Sequence, residues 1–459
     1  MLKVSEEGVW PSDSNWLQDY PKSEGRRRKA ALLLILVWAT IFALHLNPFG
    51  QWVPAGLAII MGIHLLRLLF TRPAPIPSPL SLDTSTDAYP FVSLVVSAKD
   101  EEAVITTLVE KLCALEYPAQ RYELWVVDDN SSDRTPLLLA ALTQRYPHFH
   151  WLQRGPEAKG GKSGALNQVL SLLKGDFIGV FDADAQVSGD LIQAVLPYFD
   201  PAEVGAVQVR KAIANAEVNF WTKGQSIEMI FDSFLHERRN TLGGIGELRG
   251  NGQFVRRTAL ERCGGWNEDT ITDDLDLTFR LHLDGWNIAS VASPFVQEEG
   301  VTRTLGLWHQ RNRWAEGGYQ RYLDYWPLLL NNRMGFQKTV DLLIFWIIQY
   351  ILPIAVIPDT LISTWYGHPP LLLPLSLLTS SLSLIGMFAG LNRVRILQHQ
   401  PFNFFQLTFG AILGTIYMAH WLVVVASVTA RMSIRPKRFN WVKTVHLGAA
   451  HVPTPSNSP

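Results

Sequence analysis

Two carboxylate clusters in this 459-residue chain have the types and spacing for chemistry. In "GVFDADAQ", Asp182 and Asp184 stand one residue apart where an apolar run ends. Such a pair suits a hard cation that also takes diphosphate oxygens. Mg²⁺ is commonly held by one or two carboxylates completed by phosphate oxygens and water, and Mn²⁺ accepts the same oxygen ligands. In "ITDDLDLTFRLHLDGW", Asp273, Asp274 and Asp276 crowd the start of a segment whose leucines alternate with polar residues. Acids at a helix start ordinarily just favour the macrodipole, and that suffices for Asp276 and Asp273. Asp274, in company with the other cluster, is the candidate to take a proton from a hydroxyl.

That assignment needs the segment to be a helix, although strict alternation argues for a strand. Only Thr278 is β-branched between Leu275 and Asp284, and Leu and Arg are good helix formers. Thr272 is expected to cap the helix and Gly285 to end it. Leu275, Phe279 and Leu283 then fall on one stripe, with Leu277 and Leu281 nearly opposite. A helix of that kind sits between two apolar layers.

Two further motifs are weak singly. "DDNSSDRT" reads as an Asx-rich turn leading into a helix from Thr135. "GPEAKGGKSGALNQ" nearly spells a phosphate-binding loop, but Pro156 occupies its first glycine position, which argues against an ATPase. A glycine-rich turn carrying Lys162 can still bring its backbone close to an anion.

These motifs must be placed by something. "FVSLVVSA", "YELWVVDD", "FIGVFDAD" and "VGAVQVR" are strand candidates, separated by helical patterns such as "EEAVITTLVEKLCAL". The alternation predicts an α/β domain with a mostly parallel sheet, binding ligands at the carboxyl edge of its strands. Asp128-Asp129 and Asp182/Asp184 both fall there.

Apolar residues gather toward both ends of the chain. "RRRKAALLLILVWATIFALHL" and the run from Trp52 to Phe70 form a helical hairpin anchor with basic residues at both outer ends. A proline- and serine-rich spacer follows. Apolar segments return near 342–365, 371–391 and 404–430. Three crossings after a cytoplasmic domain would carry the basic tail outside, so one segment is expected to be interfacial or re-entrant. The one broken by Pro353 and Pro358 is the candidate. The domains expected are 1–29, an N-terminal cytoplasmic segment; 30–72, the hairpin; 73–90, the linker; 91–326, the catalytic unit; 327–430, interfacial and transmembrane helices; and 431–459, a basic tail. Arg431, Arg435, Lys437, Arg438 and Lys443 in that tail suit anionic lipid headgroups, or simply solvent. The amphipathic stretch from Val218 to Asn240 can pack in a core or line a lipid-facing groove. A net charge of −1 gives no hint of a nucleic-acid partner, and two cysteines are too few for a disulfide framework. His282, His309 and His420 lack metal-ligand spacing.

Taken in order, "KDEEAVI", "VVDDNSSDRT", "GGKSGALN", "FDADAQ", "GNGQFVRR", "TITDDLDL" and "QRNRW" resemble the family-2 glycosyltransferases of GT-A fold. The resemblance implies a GT-A, Rossmann-like nucleotide-sugar domain inserted between transmembrane helices. It implies that Asp129 contacts uracil, with Ala98, Glu101 and Lys162 beside the UDP-sugar. Asp182 and Asp184 match the metal and UDP motif, holding Mg²⁺ or Mn²⁺, and Asp274 matches the catalytic base. Gln310, Arg313 and Trp314 match the signature that faces the diphosphate and lines the acceptor site. Asp100-Glu101 stands where the family has Asn-Glu. Longer stretches such as "EEGVTRTLGLWHQRNRWAEGGYQRYLDYW" resemble the family's lipid-glucosylating members in photosynthetic bacteria. This implies UDP-glucose as donor, diacylglycerol as acceptor, inversion, and a plasma or thylakoid membrane. The rivals are a processive polysaccharide synthase, a non-catalytic nucleotide-binding membrane receptor and a transporter. The last is disfavoured by the scarcity of paired charge within the apolar segments.

Overall fold

The computed structural model describes residues 25–81 and 88–435. Residues 1–24, linker residues 82–87, and Lys437, Arg438 and Lys443 of the basic tail lie outside the described residues.

Helices α1 (Arg26–Leu46) and α2 (Trp52–Phe70) come first. The central domain then runs β1 (Val92–Ala98), α3 (Ile105–Cys113), β2 (Tyr122–Asp128), α4 (Thr135–Thr143), β3 (Phe149–Gln153), α5 (Gly161–Leu170) and β4 (Phe177–Phe181). It continues through α6 (Leu191–Val195), β5 (Val204–Ile213), α7 (Phe220–Thr241), β6 (Gln253–Arg256), α8 (Arg257–Arg262), α9 (Asp273–Leu283), β7 (Asn287–Glu298) and α10 (Thr304–Leu330). Five helices follow: α11 (Phe336–Trp346), α12 (Leu352–Tyr366), α13 (Leu373–Leu397), α14 (Phe404–Met418) and α15 (His420–Ile434).

The strands form one seven-stranded sheet in the order β3-β2-β1-β4-β6-β5-β7. β1 pairs in parallel with β2 and β4, and β5 with β7, while β6 is antiparallel to both its neighbours. All four expected strands are present; β3, β6 and β7 are additional. Successive side chains of β1 point to opposite faces. Leu94 and Val96 join Ile105, Leu108 and Leu139 on one side, while Val95 meets Ala165, Leu166 and Ile178 on the other. Helices therefore cover both faces.

The segment from Asp273 to Leu283 is a helix, and Gly285 ends it at φ +88°. Leu277 and Leu281 pack toward the sheet with Val180 and Trp266. Phe279 and Leu283 pack away from it, against Tyr319 and Tyr322 of α10 and Val424 of α15. The expected double apolar contact is thus present. The cap differs: Thr272 makes no side-chain capping bond, and its buried hydroxyl has no hydrogen-bond partner. The reason is crowding. Gly317 of α10 approaches so closely that a Cβ there would lie 2.3 Å from Thr272 Oγ1.

Among the described residues five helical segments are long and apolar enough to cross a membrane: Arg26–Leu46, Trp52–Phe70, Phe336–Tyr366, Leu373–Leu397 and Phe404–Ile434. Leu32, Ile35, Phe42, Ile59, Ile63 and Phe70 stand exposed on the first two, as lipid contact requires. Pro353 and Pro358 do not break their segment. α11 passes into α12 through a π turn over Ile347–Ile351, which widens the helix just before Pro353. α7 uses most of its apolar face for packing: Ile227 meets Met387 and Ala411, and Phe231 and Phe234 fit against Gly386 and Gly390 of α13.

Candidate active site

The carboxyl edge of the sheet gathers the candidate residues. Ala98 ends β1, and its carbonyl accepts the N–H of Asp129, just past β2. The loops after these strands are cross-linked: Asp100 Oδ1 accepts from the Ser132 N–H at 2.6 Å, and the Glu101 N–H donates to Thr135 Oγ1 at 2.8 Å. Asp100 and Asn130 both adopt left-handed backbone to make that turn, with φ +52° and +57°. The sequence motifs named Asp129 but not its partner. Arg154 Nη1 donates to Asp129 Oδ1 at 2.7 Å and to the Gly161 carbonyl at 3.0 Å, tying this loop to the glycine-rich turn. Gly160 and Gly161, at φ +83° and +52°, place Lys162 on the first turn of α5.

Lys162 is where the two carboxylate clusters meet. Its Nζ lies 2.5 Å from Asp182 Oδ1, just beyond β4. Gly250 (φ +78°) leaves a small space bordered by Asp274 and Lys162: a Cβ there would lie 3.3 Å from Asp274 Oδ2 and 4.0 Å from Lys162 Nζ. Although burial works against its charge, Asp182, Asp273 and Asp274 hold Lys162 protonated above its usual range. Asp274 is pushed up to about 6, first by burial and then by Asp273; the Leu275 N–H and the cations of Lys162 and Lys211 partly offset this. Burial also raises Asp273, with Lys162 opposing. Asp273 thus lies close enough to Lys162 and Asp182 to feel the charge of both. Asp276 is structural, pairing with Arg280 at 2.7 Å and accepting from Tyr325 Oη at 3.0 Å.

Arg313 faces the same carboxylates: burial lowers its pKa, and Asp182 and Asp274 counteract this. Trp314 lies between two cations, with Arg311 Cζ 4.1 Å and Lys211 Nζ 5.3 Å from its ring centroid. Arg311 is fully buried, bound to Glu228 at 2.6 Å and to Tyr417 Oη at 3.1 Å. Gln310 Oε1 accepts from Arg311 Nη1 at 3.4 Å. Lys211 also pairs with Glu298 at 3.0 Å. It was missed in the sequence, where its signal was its place at the end of the "VGAVQVR" strand, on the same edge as the acids.

Asp184 Oδ2 accepts the Glu299 N–H at 2.8 Å, which fixes it against the end of β7. Among the described residues no group of three His, Cys, Asp or Glu side chains could enclose a metal by itself. Asp182 and Asp184 supply the hard oxygen donors that Mg²⁺ or Mn²⁺ takes when a diphosphate completes its shell, so the residues fit such an ion. The histidines have backbone partners instead: His282 Nε2 lies 2.8 Å from the Gly246 carbonyl, and His420 Nδ1 2.6 Å from that of Tyr417.

The chain is similar to known proteins along nearly its whole length. Residues 90–317 match the family described as "Glycosyltransferase like family 2". A beta-monoglucosyldiacylglycerol synthase of Trichormus variabilis is 57% identical over 429 residues, covering 93% of this chain and 90% of that one. The protein of the same name from Synechocystis sp. is 53% identical over 430 residues, with the same coverage. Among solved structures, a mannosyltransferase from Pyrobaculum calidifontis, in complex with GDP-Man and Mn²⁺, aligns with a TM-score of 0.56 at 17% identity. It covers 86% of this chain and 99% of that one, a likeness of GT-A fold. Identity of this depth along nearly the whole of both chains leaves one conclusion: the chain belongs to family 2 of the glycosyltransferases, with the cyanobacterial beta-monoglucosyldiacylglycerol synthases as its relatives.

Proposed function

We propose that the cleft transfers one glucosyl group from UDP-glucose to the free hydroxyl of diacylglycerol, with inversion, at the cytoplasmic surface of the membrane. The observation that carries this reading is Lys162, which shares the space beside Gly250 with Asp274 and is ion-paired to Asp182. Asp274 takes the acceptor proton as the hydroxyl oxygen bonds to the anomeric carbon. On the opposite face of the sugar the bond to the diphosphate breaks, and its electron pair leaves with UDP. Lys162 and Arg313 lie where negative charge accumulates on that leaving group. Asp182 and Asp184 are the residues that would hold Mg²⁺ or Mn²⁺, which supplies further positive charge to the diphosphate. The nucleoside lies toward Ala98, Glu101 and Asp129, and the acceptor toward Gln310 and Trp314. A pKa near 6 leaves Asp274 mostly ionised at neutral pH while keeping it more basic than an ordinary aspartate.

Purified protein incubated with radiolabelled UDP-glucose and diacylglycerol should give a single labelled glycolipid and no high-mass product. A labelled polymer would favour the processive alternative, and UDP binding without transfer would favour the receptor.

A further inference from the structure

Among the described residues five segments have the length and hydropathy to cross a membrane, yet the last of them is interrupted by a turn at Ala419 and tied to the central domain at its middle and end. α13 ends on the domain's side, where Arg393 Nη2 pairs with Glu237 of α7 at 2.8 Å. Beside it, Arg238 of α7 donates to the carbonyl of Thr71, which caps α2 where that helix leads into the domain. α14 begins a few residues later, and Arg395 Nη1 of α13 holds its first turn through Gln406 at 2.8 Å.

α14 then runs back along α13 and α7. A Cβ on Gly414 would lie 2.5 Å from Ile227 Cγ2, and one on Gly224 would lie 2.2 Å from the Tyr417 ring. At the corner between α14 and α15, Tyr417 Oη and Trp421 Nε1 both donate to Glu228, at 3.2 and 2.7 Å. α15 returns beneath α10, with Val424, Val425 and Val428 buried against Ala315, Tyr319 and Tyr322. It ends where Arg431 bonds to Asn312 of α10.

We infer that α14 and α15 form a wedge lying in the bilayer leaflet on the catalytic side, rather than a fifth crossing, so that the described residues cross four times and the last of them, Arg435, lies on the catalytic face. Divided at Ala419, each arm has 15 residues and is about 22 Å long, short of a hydrocarbon core of about 30 Å. The neighbouring segment supplies the contrast. Asp359 lies 18 residues beyond Asp341, which is bound to Arg239 of the domain, and about 27 Å along the helix. There Asp359 pairs with His45, near the far end of α1, and caps the N–H groups of Leu371 and Leu372. That helix joins two surfaces; α14 and α15 touch only one. The outward stripe of α14, Phe405, Phe409, Ile412 and Ile416 at helical spacing, is exposed and apolar, and a lipid leaflet is its occupant. Arg431 in the last turn of α15 and Arg435, which caps it, lie at the same surface, where basic residues favour the cytoplasmic side.

The test uses single cysteines and an impermeant maleimide on right-side-out and inverted vesicles, and it reads no transfer activity. Its failure is therefore distinct from failure of the proposed reaction. Cys113 and Cys263 are buried and stay silent. Leu137→Cys on α4 (71% exposed) marks the catalytic face, and Trp365→Cys near the end of α12 (86% exposed) marks the opposite one. Ile434→Cys (75% exposed) and, independently, Arg435→Cys should label from the face that labels Leu137→Cys and be protected on the other. Labelling together with Trp365→Cys, labelling from both faces, or no labelling at either position would overturn the inference.

Discussion

Lys162 Nζ sits 2.5 Å from Asp182 Oδ1 and borders the same space as Asp274 Oδ2, so one cation stands between the two carboxylate clusters. Removing it leaves the charge of Asp182 facing an incoming diphosphate. Lys162→Met should lower kcat/KM for UDP-glucose by about 10²-fold, in the range seen when one preorganised charge-stabilising donor is lost. Initial rates across donor concentrations measure this, and an unchanged kcat/KM would contradict the role.

Asp273 is the largest contributor after burial to the raised pKa of Asp274. Asp273→Asn removes a negative neighbour, so the Asp274 carboxyl should ionise at lower pH. A base must be ionised to work, so activity rises with pH through that pKa. The acid limb of the kcat/KM profile is therefore expected near pH 6 in the native protein and lower in the variant. A limb that stays in place or moves upward would separate Asp273 from the base.

Gly317 lets α10 approach the residue that precedes both acids. In Gly317→Ala the new Cβ would meet Thr272 Oγ1 at 2.3 Å and Cγ2 at 2.5 Å, so one helix must shift. Overpacking of this kind costs about 1–3 kcal/mol. A lower Tm and reduced turnover are expected, with UDP binding retained. Adding Thr272→Ala should recover part of both, because the Thr272 hydroxyl has no hydrogen bond to lose. Wild-type turnover in Gly317→Ala would show that α10 does not position Asp274.

Much of this was legible in the sequence because local signals agreed with the fold. The β-branched runs of β1, β2, β4 and β5 announced themselves, and α9 declared its helix through leucine-rich composition and Gly285 despite its strand-like alternation. β6 spans only Gln253–Arg256 inside a motif, and β7 carries Pro294 within it; neither gives a clean period. At the site, the acids were legible as types at strand and helix ends. Arg154, the partner of Asp129, was not, because an ion pair across 25 residues leaves no local trace. The proline-interrupted segment was expected to be the re-entrant one. That segment is helical on both sides of a π turn over Ile347–Ile351, and no proline marks the turn at Ala419 in the last segment.

The central claim is that Asp274 removes the acceptor proton in the cleft that binds UDP-glucose through other residues. Asp274→Asn, assayed for glucosyl transfer to diacylglycerol and separately for UDP binding by calorimetry, tests it most directly. The expected result is a rate about 10²- to 10⁴-fold lower, the usual contribution of a general base, with UDP affinity unchanged. Transfer at the native rate, or loss of UDP binding in step with activity, would contradict it.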